Sequence, residues 1–107
     1  MLWDRLLHVL DQLWVAVVVR GVDVVLDFGF WDRAARDRTR ALAASVRVDV
    51  VLYQVVCEEA VARRRCIDRN SAPAGSFVIH PSAFDELKAK FEPLGADEPA
   101  VRVDTTA

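Results

Sequence analysis

The run of six residues from Val22 to Asp27 most constrains what this chain can fold into, because it is mostly apolar and ends in an acid. Apolar runs of this length are typical of parallel strands that are covered on both faces. The carboxyl end of a parallel strand borders the ligand crevice of an α/β fold. An acid at that end can bind Mg²⁺ directly or through a water, so Asp27 is the first candidate metal ligand. The alternative is that Asp27 only caps the turn that follows it.

A glycine-rich phosphate-binding loop is the feature that should accompany such an acid. Proteins that place an acid beside Mg²⁺ and a nucleotide hold the phosphates with a G-x-x-x-x-G-K-[ST] loop. The 107 residues contain no match to this motif. The sequence therefore predicts the metal-binding part of a phosphate-transferring fold without its phosphate-binding loop.

Hydrophobic periodicity predicts four helices and three strands in the order α-β-α-β-α-α-β. The predicted helices are 2–20, 31–46, 58–70 and 82–91, and the predicted strands are 22–27, 48–56 and 100–104. Strands that are separated by helices of 10–15 residues imply parallel βαβ units. We therefore expect an α/β fold, namely an incomplete parallel sheet with flanking helices in one domain over residues 1–107.

Composition excludes several classes of protein. The net charge of −2 gives no general attraction to nucleic acid or to an anionic membrane, so we expect neither as a partner. Two cysteines, Cys57 and Cys66, form neither a disulfide framework nor a zinc site. The longest apolar run, 13–19, is too short to cross a bilayer. No signal peptide is expected, since Asp4 and Asp11 interrupt the N-terminal region. Reduced cysteines without these features predict a cytoplasmic protein.

Asp32 and Arg33 follow Asp27 closely, at the start of the next predicted helix. They could contact an acceptor substrate or a phosphate. The alternative is that Asp32 caps the helix and that Arg33 is solvated.

Arg65 and Arg69 are four residues apart, so they share one face of a predicted helix. The helix leads into a loop, 71–76, rich in Ser, Ala, Pro and Gly. Small kinases use paired guanidinium groups on a mobile helix–loop–helix lid to neutralise phosphate charge. The alternative is a solvated arginine face that pairs with neighbouring acids: Glu58, Glu59 and Asp68.

Two further hypotheses have less support. A nucleophilic role for Cys57 or Cys66 lacks a histidine nearby in the sequence. An RNA-binding role for the arginines lacks the alternation of basic and aromatic residues that such surfaces show.

Several motifs of this chain, in the same order, resemble the predicted-kinase family of bacterial P-loop NTPases. These AAA-type ATP-binding proteins are related to zeta toxins and to chloramphenicol-phosphotransferase-like kinases. The resemblance covers most of the chain from about residue 20 onward. Its motifs are 24–31, Arg33, 40–43, Arg65, Arg69-Asn70, 76–79, 91–93 and Asp97-Glu98.

The resemblance implies a role for each matching residue. Asp27 would be the acid near Mg²⁺, and Arg65 and Arg69 would reach the ATP phosphates from a lid at about 63–80. Asn70 would lie beside these arginines in the nucleotide site, and residues 91–98 and Asp104-Thr105 would lie toward the nucleotide. The family transfers the γ-phosphoryl group of ATP to a hydroxyl acceptor.

Family members begin with a strand, a P-loop, a helix and a second strand, and none of these matches this sequence. The resemblance therefore implies an N-terminally truncated, kinase-like protein that does not turn over ATP by itself. The alternative is a non-catalytic interaction module or a degenerate gene fragment. Such a module would form a homo-oligomer or would bind a partner that covers the exposed sheet.

Overall fold

The computed structural model describes residues 2–69 and 81–107, and within these it has four helices and two strands. The elements are α1 (Leu2–Val18), α2 (Arg33–Ser45), β1 (Tyr53–Val56), α3 (Glu59–Arg69), α4 (Pro81–Lys90) and β2 (Val101–Asp104). They fall in two compact units, Met1–Val50 and Val51–Ala107.

The end of α1 follows from a glycine. Gly21 has a φ of +82° and donates its backbone N–H to the carbonyl of Val18 at 2.9 Å. Arg20 donates to Val17 in the same way, at 3.1 Å. A left-handed glycine closes a helix at little steric cost, so the predicted stop at Arg20-Gly21 is confirmed.

The first unit, residues 2–50 of the described chain, has a small interior. Trp14 of α1 and Ala43 of α2 are the buried hydrophobic side chains among the described residues. Polar side chains occupy the rest of the buried positions in this unit: Asp11, Arg36 and Thr39. Polar contacts therefore hold much of this unit in place.

In the second unit, β1 and β2 form a two-stranded parallel sheet. Tyr53 pairs with Val101, and Val56 pairs with Asp104 at the carboxyl end. Backbone hydrogen bonds continue the ladder at both ends, from Val101 to Leu52 and from Thr105 to Val56, each at 2.8 Å. The parallel pairing agrees with the predicted α/β class and with part of a P-loop NTPase-like fold.

The predicted strand 22–27 is wrong. These residues form neither helix nor strand, and Val25 is 93% exposed. A strand requires a hydrogen-bonded neighbour, and residues 22–27 have none among the described residues. The expected neighbour was the P-loop strand, whose motif this sequence does not contain.

The other boundaries move by smaller amounts. The strand predicted over 48–56 forms only at 53–56, where β2 supplies a partner. The helices begin or end within two residues of their predicted limits. The predicted loop 71–76 lies outside the described residues. The same is true of the part of the predicted lid that follows Arg69, up to residue 80. No helix within the described chain is long and apolar enough to cross a membrane.

Candidate functional site

Asp27 opens a sharply turned segment that leads into α2. Its side chain is exposed and makes no hydrogen bond or ion pair with any described residue. Gly29 and Phe30 follow with φ angles of +79° and +49°. The indole of Trp31 covers Gly29 so closely that an added Cβ would lie 2.5 Å from its Nε1 atom. The segment thus leaves the Asp27 carboxylate open to solvent.

A buried arginine holds this segment in place through a hydrogen bond. Arg36 is only 2% exposed and donates from Nη1 to the carbonyl of Phe30 at 2.9 Å. This hydrogen bond is strong because its donor is charged. The bond offsets part of the free-energy cost of the left-handed conformation at Phe30. The charged residues of the predicted helix 31–46 were expected on its solvent side, and for Arg36 this expectation is wrong.

Asp32 makes the contact that the alternative interpretation expects, whereas Arg33 pairs with an acid of its own helix. The Asp32 carboxylate accepts from the backbone N–H of Ala35 at 2.8 Å, so Asp32 caps α2. Arg33 donates from Nε to both oxygens of Asp37 at 3.1 Å. Hydrogen bonds from Arg40 and then from Arg33 lower the pKa of Asp37. A role of Asp32 or Arg33 toward a substrate stays a prediction.

In the second unit, one candidate residue, Arg65, lies at the carboxyl edge of the two strands. Arg65 donates to the Sγ of Cys57 at 3.5 Å and to the carbonyl of Ala107 at 3.3 Å. The first backbone N–H before α3, that of Glu58, donates to the Oγ1 of Thr106 at 2.9 Å. Arg65 therefore folds back along α3 toward the sheet edge where parallel α/β folds bind ligands.

The last strand also ends in an acid at this edge. Asp104 accepts hydrogen bonds from the side chain and the backbone N–H of Thr106, and both lower its pKa. Thr105 donates its hydroxyl to the carbonyl of Val56 at 3.0 Å. These bonds tie the two strand ends together next to the start of α3.

Arg69 ends α3 with an exposed side chain that has no hydrogen-bond or ion-pair partner among the described residues. Asn70, its predicted neighbour in the site, lies outside those residues. Asp27, Asp32 and Arg33 belong to the first unit, and Arg65 and Arg69 belong to the second.

A network of charges joins α3 to α4, the two helices on either side of the predicted lid loop. Arg63 pairs with Glu59 at 3.5 Å and with Asp85 of α4, and its guanidinium lies 4.8 Å from the centre of the Phe84 ring. Lys88 reaches Glu59 at 2.5 Å. The pairing of Arg63 with Glu59 is of the local kind that the alternative for this arginine face expects. The pair with Asp85 was not predicted, because contacts between separate helices leave no periodic signal.

The described residues offer no metal site made of side chains alone. They contain no group of three or more His, Cys, Asp or Glu side chains that could hold a metal ion. Mg²⁺ usually takes one or two carboxylates, with phosphates and waters completing its six ligands. The open carboxylate of Asp27 meets that requirement. The guanidinium groups of Arg65 and Arg69 suit phosphate oxygens.

Comparison with known proteins identifies the family of this chain. A family model described as an AAA domain matches residues 2–94, and the chain belongs to that family. Members are P-loop NTPase-like proteins that generally bind nucleotide and Mg²⁺. The match includes α1, which lies before the start of the resemblance found in the sequence. No curated protein and no solved structure matches the chain.

Proposed function

We propose that these 107 residues contribute the metal-binding acid and the lid arginines of an ATP-dependent, kinase-like site. Membership of the AAA domain family over residues 2–94 carries the proposal, because the matched range includes Asp27, Arg65 and Arg69. Within that family we place the chain with the zeta-toxin and chloramphenicol-phosphotransferase-like kinases, on the motifs around Asp27 and Arg69.

Each residue has a role that its surroundings permit. Asp27 would hold Mg²⁺ through its exposed carboxylate, and the bound ion would supply neutralisation of the phosphate charge. Arg69, at the exposed end of α3, binds phosphate oxygens. Arg65 exchanges its contacts with Cys57 and Ala107 for phosphate oxygens, which are stronger acceptors than a thiol or a carbonyl.

The phosphate-binding loop must come from residues outside these 107, since the sequence contains no G-x-x-x-x-G-K-[ST] motif. Without that loop the backbone amides that position the γ-phosphate are missing. We therefore propose that this chain binds Mg·ATP weakly and does not hydrolyse it, and that the complete site transfers the γ-phosphoryl group to a hydroxyl acceptor.

A calorimetric titration of Mg·ATP tests the lid. We expect a dissociation constant below about 1 mM, equivalent to about −4 kcal/mol. Arg69→Ala should abolish the heat. Arg64→Ala is the matched control, because Arg64 is exposed on the same helix and is not assigned to the site. Absence of binding in the unaltered chain, or equal losses in the two variants, would contradict the proposed role of Arg69.

A second candidate function, an interaction module, is favoured by one specific observation. Leu2, Leu6, Val9 and Leu13 of α1 follow a spacing of four, three and four residues, and all are exposed. Such a stripe on a helix is typical of a surface that a partner or a second copy covers. Sedimentation that depends on protein concentration and is indifferent to Mg·ATP would support this function over nucleotide binding.

A further inference from the structure

The outer edge of β1, the edge that faces away from β2, is unpaired. Parallel pairing with β2 uses the backbone groups of alternate residues of β1, beginning with the carbonyl of Leu52 and ending with that of Val56. The N–H and C=O groups of Tyr53 and Val55 therefore point away from β2. Within the part of the chain that the structure describes, no residue bonds to these groups. A row of unpaired backbone groups of this kind is a template for another strand.

The side chains along β1 do not oppose such pairing. Residues 50–56 contain no charge, proline or glycine, and four of them are valine, which favours strands. The outer backbone groups of β2 belong instead to Arg102 and Asp104, which are both charged. Strand edges that stay unpaired in native proteins commonly carry charges or proline. The two edges of this sheet therefore differ, and the edge of β1 is the one suited to a further strand.

A second copy of the chain complements this edge. Antiparallel strands related by a twofold axis present the same groups to each other, so the contact closes at two copies. With the axis at Gln54, Tyr53 lies opposite Val55 of the second copy, and each such pair exchanges two backbone hydrogen bonds. The side chains of Tyr53 and Val55 share one face of β1 and are 62% and 67% exposed. They are therefore available for aromatic–valine pairs across the axis, which stabilise antiparallel sheets.

We propose that two copies of this chain associate through β1, antiparallel and centred on Gln54, and form a continuous sheet in the order β2-β1-β1-β2. Each Gln54 then faces its counterpart, and the two neutral amides satisfy each other's hydrogen bonds. An axis at Tyr53 would instead pair Val51, which lies outside β1. The proposal does not depend on the nucleotide site, because none of the residues assigned to that site lies on this edge.

Sedimentation velocity over a range of protein concentrations tests the association. We expect the mass to rise from the 12.0 kDa of one chain toward twice that value and no further. Gln54→Lys and Gln54→Glu each place like charges opposite each other at the axis, so each should raise the dissociation constant of the dimer at least tenfold. A mixture of the two variants should form dimers again, because opposite charges then meet. Gln54→Thr, which adds no charge, is the matched control and should stay dimeric.

The possible failures separate clearly. A chain that stays monomeric up to about 1 mM, or that forms assemblies larger than a dimer, would overturn the proposal. Association that both charged variants leave unchanged would do the same, because the interface would then lie elsewhere, for example on the exposed stripe of α1. A mixture that forms no dimers would refute the axis at Gln54. Circular dichroism checks the fold of each variant; Gln54→Glu carries the test if Gln54→Lys unfolds, since Arg102 is the neighbour of Gln54 within the sheet.

Cysteine cross-linking tests the register, in a chain whose Cys57 and Cys66 are replaced by serine. Opposed residues of a non-hydrogen-bonded antiparallel pair have Cα atoms about 4.5 Å apart, which a disulfide spans. Gln54→Cys should therefore form a disulfide-linked dimer with oxidised glutathione. Val103→Cys is the matched control, because Val103 would occupy the equivalent position in a dimer formed through β2. Equal cross-linking of the two variants, or cross-linking of Val103→Cys alone, would refute the assignment to β1.

Discussion

Asp11 joins α1 to α2, and its removal should destabilise the first unit measurably. Its carboxylate is buried, and Oδ1 accepts from the indole Nε1 of Trp14 at 3.0 Å. Oδ2 pairs with Arg38 of α2 at 3.2 Å. One side chain therefore satisfies a buried donor on its own helix and contacts the neighbouring helix.

The magnitude of the effect of Asp11→Ala follows from these two contacts. Loss of a hydrogen bond that involves a charged group costs about 1.5–3 kcal/mol, since the Trp14 donor stays buried without an acceptor. The Arg38 side chain is half exposed, so its ion pair adds only about 0.2–1 kcal/mol. We expect the free energy of unfolding to fall by about 2–4 kcal/mol.

Urea unfolding followed by circular dichroism measures this loss. Asp11→Asn keeps an oxygen that can accept from Trp14, so we expect it to cost less than half as much. Asp23→Ala removes an exposed acid of the same unit and should change stability by less than about 0.5 kcal/mol.

A double-mutant cycle separates the indole bond from other effects. With Trp14→Phe the donor is gone, so the further change Asp11→Ala should cost at most about 1 kcal/mol. An unchanged cost of Asp11→Ala in the Trp14→Phe background would refute the reasoning. So would a loss below about 0.5 kcal/mol for Asp11→Ala in the unaltered chain.

Two further predictions concern the turn after Asp27 and the α3–α4 network. In urea unfolding, Gly29→Ala should destabilise the first unit by at least about 1 kcal/mol more than Gly21→Ala does. Both glycines have a positive φ, but only Gly29 has an indole against its Cα. Equal losses of stability in the two variants would contradict this prediction. The hydrogen bond from Arg63 lowers the pKa of Asp85 below its ordinary 3.8, so the stabilisation from this pair is complete above pH 3.8 and is lost as pH falls through the lowered value. Carboxyl NMR titration should place the Asp85 midpoint below 3.8 and raise it in Arg63→Gln, whereas an unshifted midpoint would contradict the pairing.

Local signals predicted most of the helices. Apolar residues spaced by three and four identified α1, and Arg20-Gly21 identified its end, because helix hydrogen bonds and caps involve residues close in sequence. The Asp32 cap was visible for the same reason. These features need no partner from elsewhere in the chain.

Strand formation could not be predicted in the same way. Residues 22–27 and 53–56 are both mostly apolar. Only 53–56 has a hydrogen-bonded neighbour, which is β2, nearly fifty residues later. A mostly apolar run indicates only that its residues are able to form a buried strand. Whether it forms depends on a hydrogen-bonded partner, and the sequence of residues 22–27 does not reveal that partner.

The candidate site stays a prediction, because the sequence indicates residue types and does not reveal their contacts. Asp27, Arg65 and Arg69 stand out by position, and the AAA domain match covers all three. The burial of Arg36 and of Asp11 was not predicted, although Asp11 lies four residues after Leu7 and three before Trp14 on the apolar stripe. An acid in such a stripe is a usable signal of a buried polar contact.

Hydrogen exchange of the intact chain, with and without Mg·ATP, tests the central claim most directly. The account predicts that saturating Mg·ATP slows exchange in peptides that cover Asp27 and in those that cover Arg65 and Arg69, and leaves the peptides of α1 unchanged. Unchanged exchange around Asp27 would contradict the proposed role of Asp27, and unchanged exchange around Arg65 and Arg69 would contradict the proposed role of these arginines.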